Sequence, residues 1–379
     1  MRVLLILNKV ESKRTYREHI LKAFKDQGWE TRILYLSGDP SLSPHQRQGL
    51  KVDSLGFPVA KIKRFHGGVL KALYAYLKKY PCDIVWIHRY RLFYYLALIH
   101  LLNPRFRIVF HVVAGGIFRS PGRRWTFSLL RSRLSSLVVN STALKREILG
   151  LYPGLRDKLT VIFNGVDLSR FSSGVSREKA RERFGLEREG FLFGMAAAFR
   201  PEKNHLALLR SFREFKERGG RAGMALAGSG PLEGKARACA ASWGLKEVVF
   251  LGALPYEEIP LFLRALDVFV HPSLKEGMPN AVLEAMAAGL PIIATDAEGV
   301  PDIFDTPRKI GYMIPRGSEE ALTRAMEEIY GLSAEERREM GREARLRVEE
   351  AFSAQRQAQA FVELFASLVN RSSLRSSNP

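Results

Sequence analysis

The stretch "SLKEGMPNAVLEAMAAGLPIIATD", Ser273–Asp296, decides the fold. Pro279 suits the first turn of a helix, where its missing N–H leaves no bond unmade. Asn280 suits a place near the N-cap, and Ala281 to Ala288 is rich in helix formers. Gly289 stands where a left-handed residue ends a helix, and Pro291 blocks continuation. "PIIAT" then reads as a strand buried on both faces, and "LDVFVHPS" upstream as another strand running into a loop. Strand, loop, helix and strand in that order form one βαβ unit of a parallel sheet. In this unit Glu276 lies on the loop and Glu284 about one turn into the helix. Both stand near the carboxyl edge of the sheet, where open α/β sheets bind ligands. Carboxylates there can accept hydrogen bonds from sugar or ribose hydroxyls. Either Glu alone reads better as a solvated acid, although the apolar neighbours of Glu284 argue against that.

Outward from this unit the alternation covers the chain. In the first half "RVLLILN", "ETRILYLS", "CDIVWIH", "RIVFHVV" and "LSSLVVNS" read as strands, with helices at "YREHILKAFKDQG" and "GGVLKALYAYLKKY". The stretch Asp167–Gly190 turns polar and reads as a linker, after which the pattern restarts with "FLFGMAAAF", "GMALAG" and "EVVFLG" as strands. Such alternation predicts a doubly wound α/β architecture of two Rossmann-like domains with parallel sheets. The expected boundaries are 1–170 and 171–350, with 351–379 as a C-terminal helix, placed to pack back on the first domain, and a polar tail.

A chain of 379 residues suits two domains, and 46% hydrophobic with 26% charged residues describes a soluble globular protein. The two cysteines, Cys82 and Cys239, imply neither a disulfide framework nor a metal cluster, and fit a reducing compartment. "MRVLLILNKV" reads as a strand rather than a signal peptide. The longest apolar run, Leu92–Leu102, is too short to span a bilayer. The net charge of +20 is concentrated: residues 1–170 hold 30 Lys and Arg against 10 Asp and Glu, while the rest holds 29 of each. No acid occurs between Asp83 and Glu147. An excess confined to one half points to an anionic partner: a membrane surface, a phosphorylated lipid, an anionic glycan or nucleic acid.

The short motifs divide. "GMALAGSGPLEGKA" places Gly228, Gly230 and Gly234 between a strand and a helix, but not with dinucleotide spacing, and the following strand lacks the ribose-binding acid. A tight turn with close helix packing accounts for it as well as a phosphate role does. In "FRPEKNHLALL", Arg200 and Lys203 precede a helix that Asn204 can cap, which suits either a diphosphate or a solvated basic loop. There is no D-x-D, no Cys/His metal spacing, no nucleophile elbow and no P-loop.

Together "VIFNGVDLSRF", "FRPEKNH", "LAGSGPLEG", "VVFLGALPYEEIPLFLRALDVFVHPS" and the opening stretch resemble, in order and spacing, the family-4 retaining glycosyltransferases of GT-B fold with their E-x7-E signature. The resemblance covers most of Asn140–Pro315 and is weaker before residue 130, where "NKVESKRTY" replaces the family's Gly-Gly turn. It implies a nucleotide-diphosphate sugar, UDP- or GDP-linked, bound in an interdomain cleft. Glu276 would then meet the donor-sugar hydroxyls, Glu284 the ribose, and Lys203 the diphosphate. Met278, Asn280 and Ala281 would bring backbone to the phosphates, and Gly252 to Leu254 would face the base. Where the family often has Arg, this chain has Ala198, so Arg200 stands in as the second cation. The family's first-domain histidine falls at Val113, and His111, two residues earlier on the same strand face, is either its counterpart or a packed strand histidine.

The implied reaction needs no cofactor, no metal and no protein base. The leaving diphosphate, held by Lys203, Arg200 and a helix dipole, can take the acceptor proton itself. The expected acceptor is a lipid-linked or anionic glycan of cell-surface polysaccharide or lipopolysaccharide synthesis. The basic domain would hold it at the cytoplasmic face of an anionic membrane, with Arg119, Arg123, Arg124 and Arg131 among the contacts. The alternatives are another GT-B enzyme, such as a sugar-nucleotide epimerase, and a nucleic-acid-binding protein, which charge alone suggests; no nucleic acid is expected.

Overall fold

The computed structural model describes residues 1–10, 17–47, 49–172 and 174–376. Glu11–Tyr16, the centre of the segment that replaces the Gly-Gly turn, lies outside them. The chain divides into two compact units, Met1–Phe163 with the chain from Ala354 onward, and Asn164–Ser353.

The first unit holds β1 (Arg2–Lys9), β2 (Glu30–Ser37), β3 (Lys51–Ser54), β4 (Ile84–Ile87), β5 (Arg107–Val112), β6 (Leu134–Val139) and β7 (Leu159–Val161). They pair in parallel in the order β3-β2-β1-β4-β5-β6-β7. Continuous apolar strands serve both faces. Val3, Leu5 and Leu7 join one core, with Trp86, α1 (Glu18–Asp26) and the C-terminal helix Ala354–Ser376. Phe24 of α1 stacks on Phe365 of that helix at 5.0 Å between ring centres. Leu4 and Ile6 join the other core. Its helices are α2 (Gly67–Lys79), α3 (Tyr90–Leu102) and α4 (Pro121–Leu130), which supply Leu73, Phe93 and Phe127. The short edge strands β3 and β7 carry little apolar pattern and escape a sequence reading.

The second unit holds α5 (Arg177–Arg183), β8 (Phe191–Ala196), α6 (His205–Glu217), β9 (Ala222–Ala227), β10 (Val248–Gly252), β11 (Val268–His271), α7 (Asn280–Ala287), β12 (Ile292–Thr295) and β13 (Gly311–Ile314). Its sheet, also parallel, runs β10-β9-β8-β11-β12-β13. Both sheets thus reverse strand order beside their first strand, between β1 and β4 and between β8 and β11. Ligands of doubly wound sheets sit beyond the carboxyl ends at that switch.

Two local readings shift. The polar stretch Asp167–Gly190 is no open connector: it belongs to the second unit and contains α5. Arg181 there is fully buried and donates to Ala265 O at 2.9 Å, Gly190 O at 3.0 Å and Asp267 at 2.9 Å. The polarity serves an internal ion-pair network, which composition cannot distinguish from a solvated linker. In the opening stretch, Pro279 takes the N-cap position and the helix begins at Asn280. Gly289, at φ +78°, closes it as expected.

Candidate functional site

The loops leaving β8 and β11 meet at the switch of the second sheet. After β8 the chain makes a tight turn, Pro201–Lys203, and then passes through Asn204 at φ +57°, the one non-glycine residue with positive φ among those described. Asn204 side chain makes no cap bond to α6, so its part is to redirect the chain rather than to cap it. Arg200, just before the turn, is extended and exposed. The backbone N–H of Leu274 donates to Glu202 O at 2.8 Å, which ties this turn to the loop after β11.

On that second loop Glu276 forms an ion pair with Lys203. His271, the last residue of β11, bonds to the same carboxylate through Nε2 at 2.8 Å, and Ser273 Oγ lies 3.0 Å from that nitrogen. A carboxylate can only accept, so Nε2 carries the proton. Burial alone would raise the Glu276 pKa. The hydrogen bond from His271 and the charge of Lys203 outweigh it and hold the carboxyl down to about 2. Glu298 accepts the backbone N–H of Glu276 at 2.8 Å. Gly299 packs so closely that a Cβ on it would meet Gly277 O at 2.0 Å, which fixes the loop path.

Glu284 lies in the second turn of α7 and is half-buried. Burial pushes its carboxyl up to about 7, against the pull of Arg170. Arg170 stacks on the Tyr256 ring at 3.6 Å and donates to Tyr256 O at 2.7 Å, while its buried Nη1 has no hydrogen-bond partner. Buried Asn164 donates to Met278 O at 3.2 Å and to Asn280 Oδ1 at 2.8 Å, fixing the approach to α7. Met278 is buried there, and Asn280 and Ala281 are half-exposed at the start of the helix. Gly252 ends β10 at φ +69°, with its carbonyl accepting Gly228 N–H at 2.6 Å, and Leu254 follows on the loop that carries Tyr256.

The glycines of "GSG" serve packing. A Cβ on Gly228 would lie 1.9 Å from Ala197 O, and one on Gly230 would lie 2.6 Å from Phe199 O. Of the predicted residues, Lys203 and Glu276 are in direct contact, and Glu284 and the Gly252–Leu254 loop connect through Arg170 and Tyr256. Arg200 is close in sequence but makes no side-chain bond to a described residue. Sequence reasoning missed His271, Asn164, Arg170 and Glu298. The one available signal was a histidine closing an otherwise apolar strand.

His111 stands elsewhere, on β5 of the first unit. It is buried against Trp86 at 6.1 Å, His88 at 4.8 Å and Phe361 at 5.3 Å. Neither ring nitrogen has a hydrogen-bond partner, and burial, with Arg17, lowers its pKa to about 3. Of the two readings of His111, the packed strand histidine describes what is found. Val113, at the position of the family histidine, lines a cavity instead.

Two parallel-sheet units of this order define the GT-B class. The whole chain superposes on a glycosyltransferase of Rickettsia africae ESF-5 with TM-score 0.83 and 16% identity, over 97% of this chain and 98% of that one. It superposes on Anabaena Alr3699/HepE in complex with UDP with TM-score 0.81 and 17% identity, over 97% and 100%. Two family models divide the sequence, Glycosyltransferase Family 4 over residues 14–170 and Glycosyl transferases group 1 over 176–347. The first unit thus resembles the Glycosyltransferase Family 4 model and the second the Glycosyl transferases group 1 model, and the solved structures share the GT-B fold. Among curated relatives it is 38% identical to EpsF of Bacillus subtilis (strain 168) over 144 residues, 38% of this chain and 37% of that protein. It is 35% identical to the Escherichia coli UDP-Gal:alpha-D-GlcNAc-diphosphoundecaprenol alpha-1,3-galactosyltransferase over 146 residues, 38% of each. The matched stretch thus spans well under half the length of either relative.

Proposed function

We propose that the protein is a retaining, hexosyl-type glycosyltransferase using a UDP- or GDP-sugar, with a lipid-linked or anionic glycan of cell-surface polysaccharide or lipopolysaccharide synthesis as acceptor. The observation that carries the reading is the meeting of Lys203, Glu276 and His271 at the switch of the second sheet, with Glu284 on the adjoining helix. The complex of HepE with UDP favours the uridine donor, and the diphosphoundecaprenol-linked substrate of the galactosyltransferase favours the lipid-linked acceptor.

Without donor, Lys203 and Glu276 neutralise each other. A bound nucleotide sugar exchanges that pair for two new ones: Lys203 turns to the diphosphate, joined by Arg200, and Glu276 to the sugar hydroxyls. Glu284 accepts from the ribose, backbone at Met278, Asn280 and Ala281 approaches the phosphates, and Gly252 to Leu254 line the base. As the glycosidic bond breaks, charge gathers on the leaving diphosphate, so fixed cations there stabilise the transition state more than the ground state. The leaving phosphate accepts the acceptor proton on the same face, and no divalent ion takes part. EDTA should then leave the rate unchanged; loss restored by magnesium would count against this step.

We also place the protein peripherally on the inner face of the membrane. Among the described residues no helix is long and apolar enough to cross one. On α4, Trp125 and Leu129, one turn apart, are 69% and 66% exposed beside exposed Arg119, Arg123 and Arg124. Apolar anchors among arginines suit an anionic interface. The decisive test incubates the protein with UDP- and GDP-sugar panels and lipid-linked acceptors, reading product by mass spectrometry and anomeric configuration by NMR. Inverted product, or no transfer or nucleotide binding with any donor, would sink the reading.

A further inference from the structure

The first sheet has its own switch, between β1 and β4, and a cavity of about 730 Å³ opens at its carboxyl end. Asn8 of β1, the chain from His88 through Arg91 after β4, and the chain from Val112 to Ile117 after β5 line it. Among the described residues, three arginines, Arg89, Arg91 and Arg123, are the charged groups of the lining, and no Asp or Glu joins them. Arg91 donates to Ile62 O at 2.6 Å and Arg123 to Ile117 O at 3.4 Å, both neutral carbonyls. Glu147, next to the lining, is turned to the backbone, accepting Gly116 N–H at 3.0 Å.

This arrangement runs against local electrostatics. Arg89 and Arg91 stand at the N-terminus of α3, where the helix dipole disfavours cations, and no side chain caps that end. Three guanidiniums around one cavity also repel one another. Below them His88 keeps both ring nitrogens covered and without hydrogen-bond partners, and burial, with Arg17, His111 and Arg89, pushes its pKa well below the ordinary range. It adds no negative charge. Locally unfavourable charge of this kind is found where a ligand supplies the missing sign. Guanidinium forks and uncapped helix N–H groups both match phosphoryl oxygens. Phe65, 55% exposed, stands at the same cavity with its ring edge-on to Tyr94 at 5.6 Å, offering apolar faces beside the cations.

We infer that this cavity binds the phosphoryl group of the acceptor through Arg89, Arg91 and Arg123, so that the acceptor is a phosphorylated glycan rather than a neutral one. The inference rests on the glycosyltransferase reading for the word acceptor, but the anion site stands on its own geometry. The probe is inorganic pyrophosphate, titrated calorimetrically into the full chain at physiological salt. Two classes of site are expected. One is blocked by saturating UDP and lost in Lys203→Ala. The other persists under UDP and weakens at least tenfold in Arg89→Ala/Arg123→Ala, less in the corresponding Lys variants, which keep charge without the fork. Arg89 and Arg123 are exposed, so these changes leave the core untouched.

A second site that ignores the arginine substitutions, or its absence while the UDP-blocked site remains, overturns the inference and leaves the donor reading intact. Loss of the UDP-blocked site alone would do the reverse. The source of the phosphate is then read by comparing an alkyl diphosphate in neutral micelles with soluble glucose 1-phosphate. Tighter micellar binding identifies a lipid-linked acceptor, and equal or tighter binding of the soluble ester identifies a free phosphoglycan. Octyl glucoside binding as tightly as either would overturn the proposal.

Discussion

The two units share one strand order and treat charge in opposite ways. Asn164–Ser353 carries 27 Lys and Arg against 29 Asp and Glu, whereas the other unit carries 32 against 10. In the second unit cations find carboxylates of the same unit: Arg181 with Asp267, Arg210 with Glu319, Arg308 with Glu343, Lys203 with Glu276. In the first, the arginines of α4 and of the cavity meet carbonyls, rings or solvent. On the proposed function, the balanced unit exchanges one internal pair for a ligand, and the unit that leaves its charge open meets anions brought from outside.

The largest effect should come from breaking the exchangeable pair. Glu276→Ala and Lys203→Ala should each lower kcat by about 10²–10³, the usual result of removing one preorganised charge contact in a transition state. Folding should be preserved, since both sit on loops beyond the strands. If steady-state assays find either variant near full rate, the second unit's charges are structural and the contrast between the units fails.

Glu284 comes next. Hydrogen bonds to a charged group contribute about 1.5–3 kcal/mol, so Glu284→Ala should weaken nucleotide binding roughly ten- to a hundredfold. With the carboxyl at about 7, half of it is protonated near neutrality. Ribose hydroxyls donate best to the ionised form, so affinity should rise as pH goes from 6 to 8. Folding has the opposite sign. A raised carboxyl pKa gives stability that is complete at acid pH and is lost as pH rises through about 7. Titrating UDP at several pH values into native protein and Glu284→Gln checks this, since the variant should lose the dependence.

The same contrast governs what could be read from sequence. The βαβ corner that carries Glu276 and Glu284 was legible as structure because the loop after β11, α7 and β12 are contiguous, and Pro279, Gly289 and the two acids mark them with local chemistry. What escaped reaches that corner from afar: Asn164, 116 residues before Asn280, and Arg170, 86 before Tyr256. The Asp167–Gly190 segment misled because a buried Arg181 and a solvated arginine have the same letter. The first unit's cavity has no motif, being assembled from the ends of β1, β4 and β5 across more than a hundred residues of sequence. Only the absence of acids betrayed it.

A smaller effect is expected at α4, the helix proposed to meet the membrane. Replacing Trp125 and Leu129 with Ser should weaken binding to anionic vesicles roughly fivefold, a fraction of the 1.5–3 kcal/mol that full burial of each side chain gives. Salt should weaken it further. Replacing Arg119, Arg123, Arg124 and Arg131 with Ser should do the same by charge, although Arg124 is partly engaged with Phe118 O at 2.8 Å. Vesicle flotation that shows no preference for anionic lipid at low salt would assign these arginines to soluble anions alone.

The smallest effect on activity is expected at His111. Its two nitrogens are buried without partners, so an apolar residue there removes an unmet polar cost rather than a bond. His111→Leu should leave transfer within about twofold and raise stability at pH 7 by roughly 1 kcal/mol. The pH dependence separates this packing role from catalysis. A pKa lowered to about 3 means the unfolded chain takes up a proton below the ordinary histidine range that the folded chain refuses. Stability from this site is therefore present above that range and lost as pH falls toward 3. Guanidinium unfolding at pH 7 and pH 5 should show a smaller acid loss in the variant than in the native chain. His205, lowered to about 4 by burial and by the neighbouring His271 and Lys203, supplies the same slope in the second unit and should be unaffected. A large fall in kcat for His111→Leu with unchanged donor affinity would instead make it an acceptor-side group. That would bring the first unit's chemistry to His111 on β5.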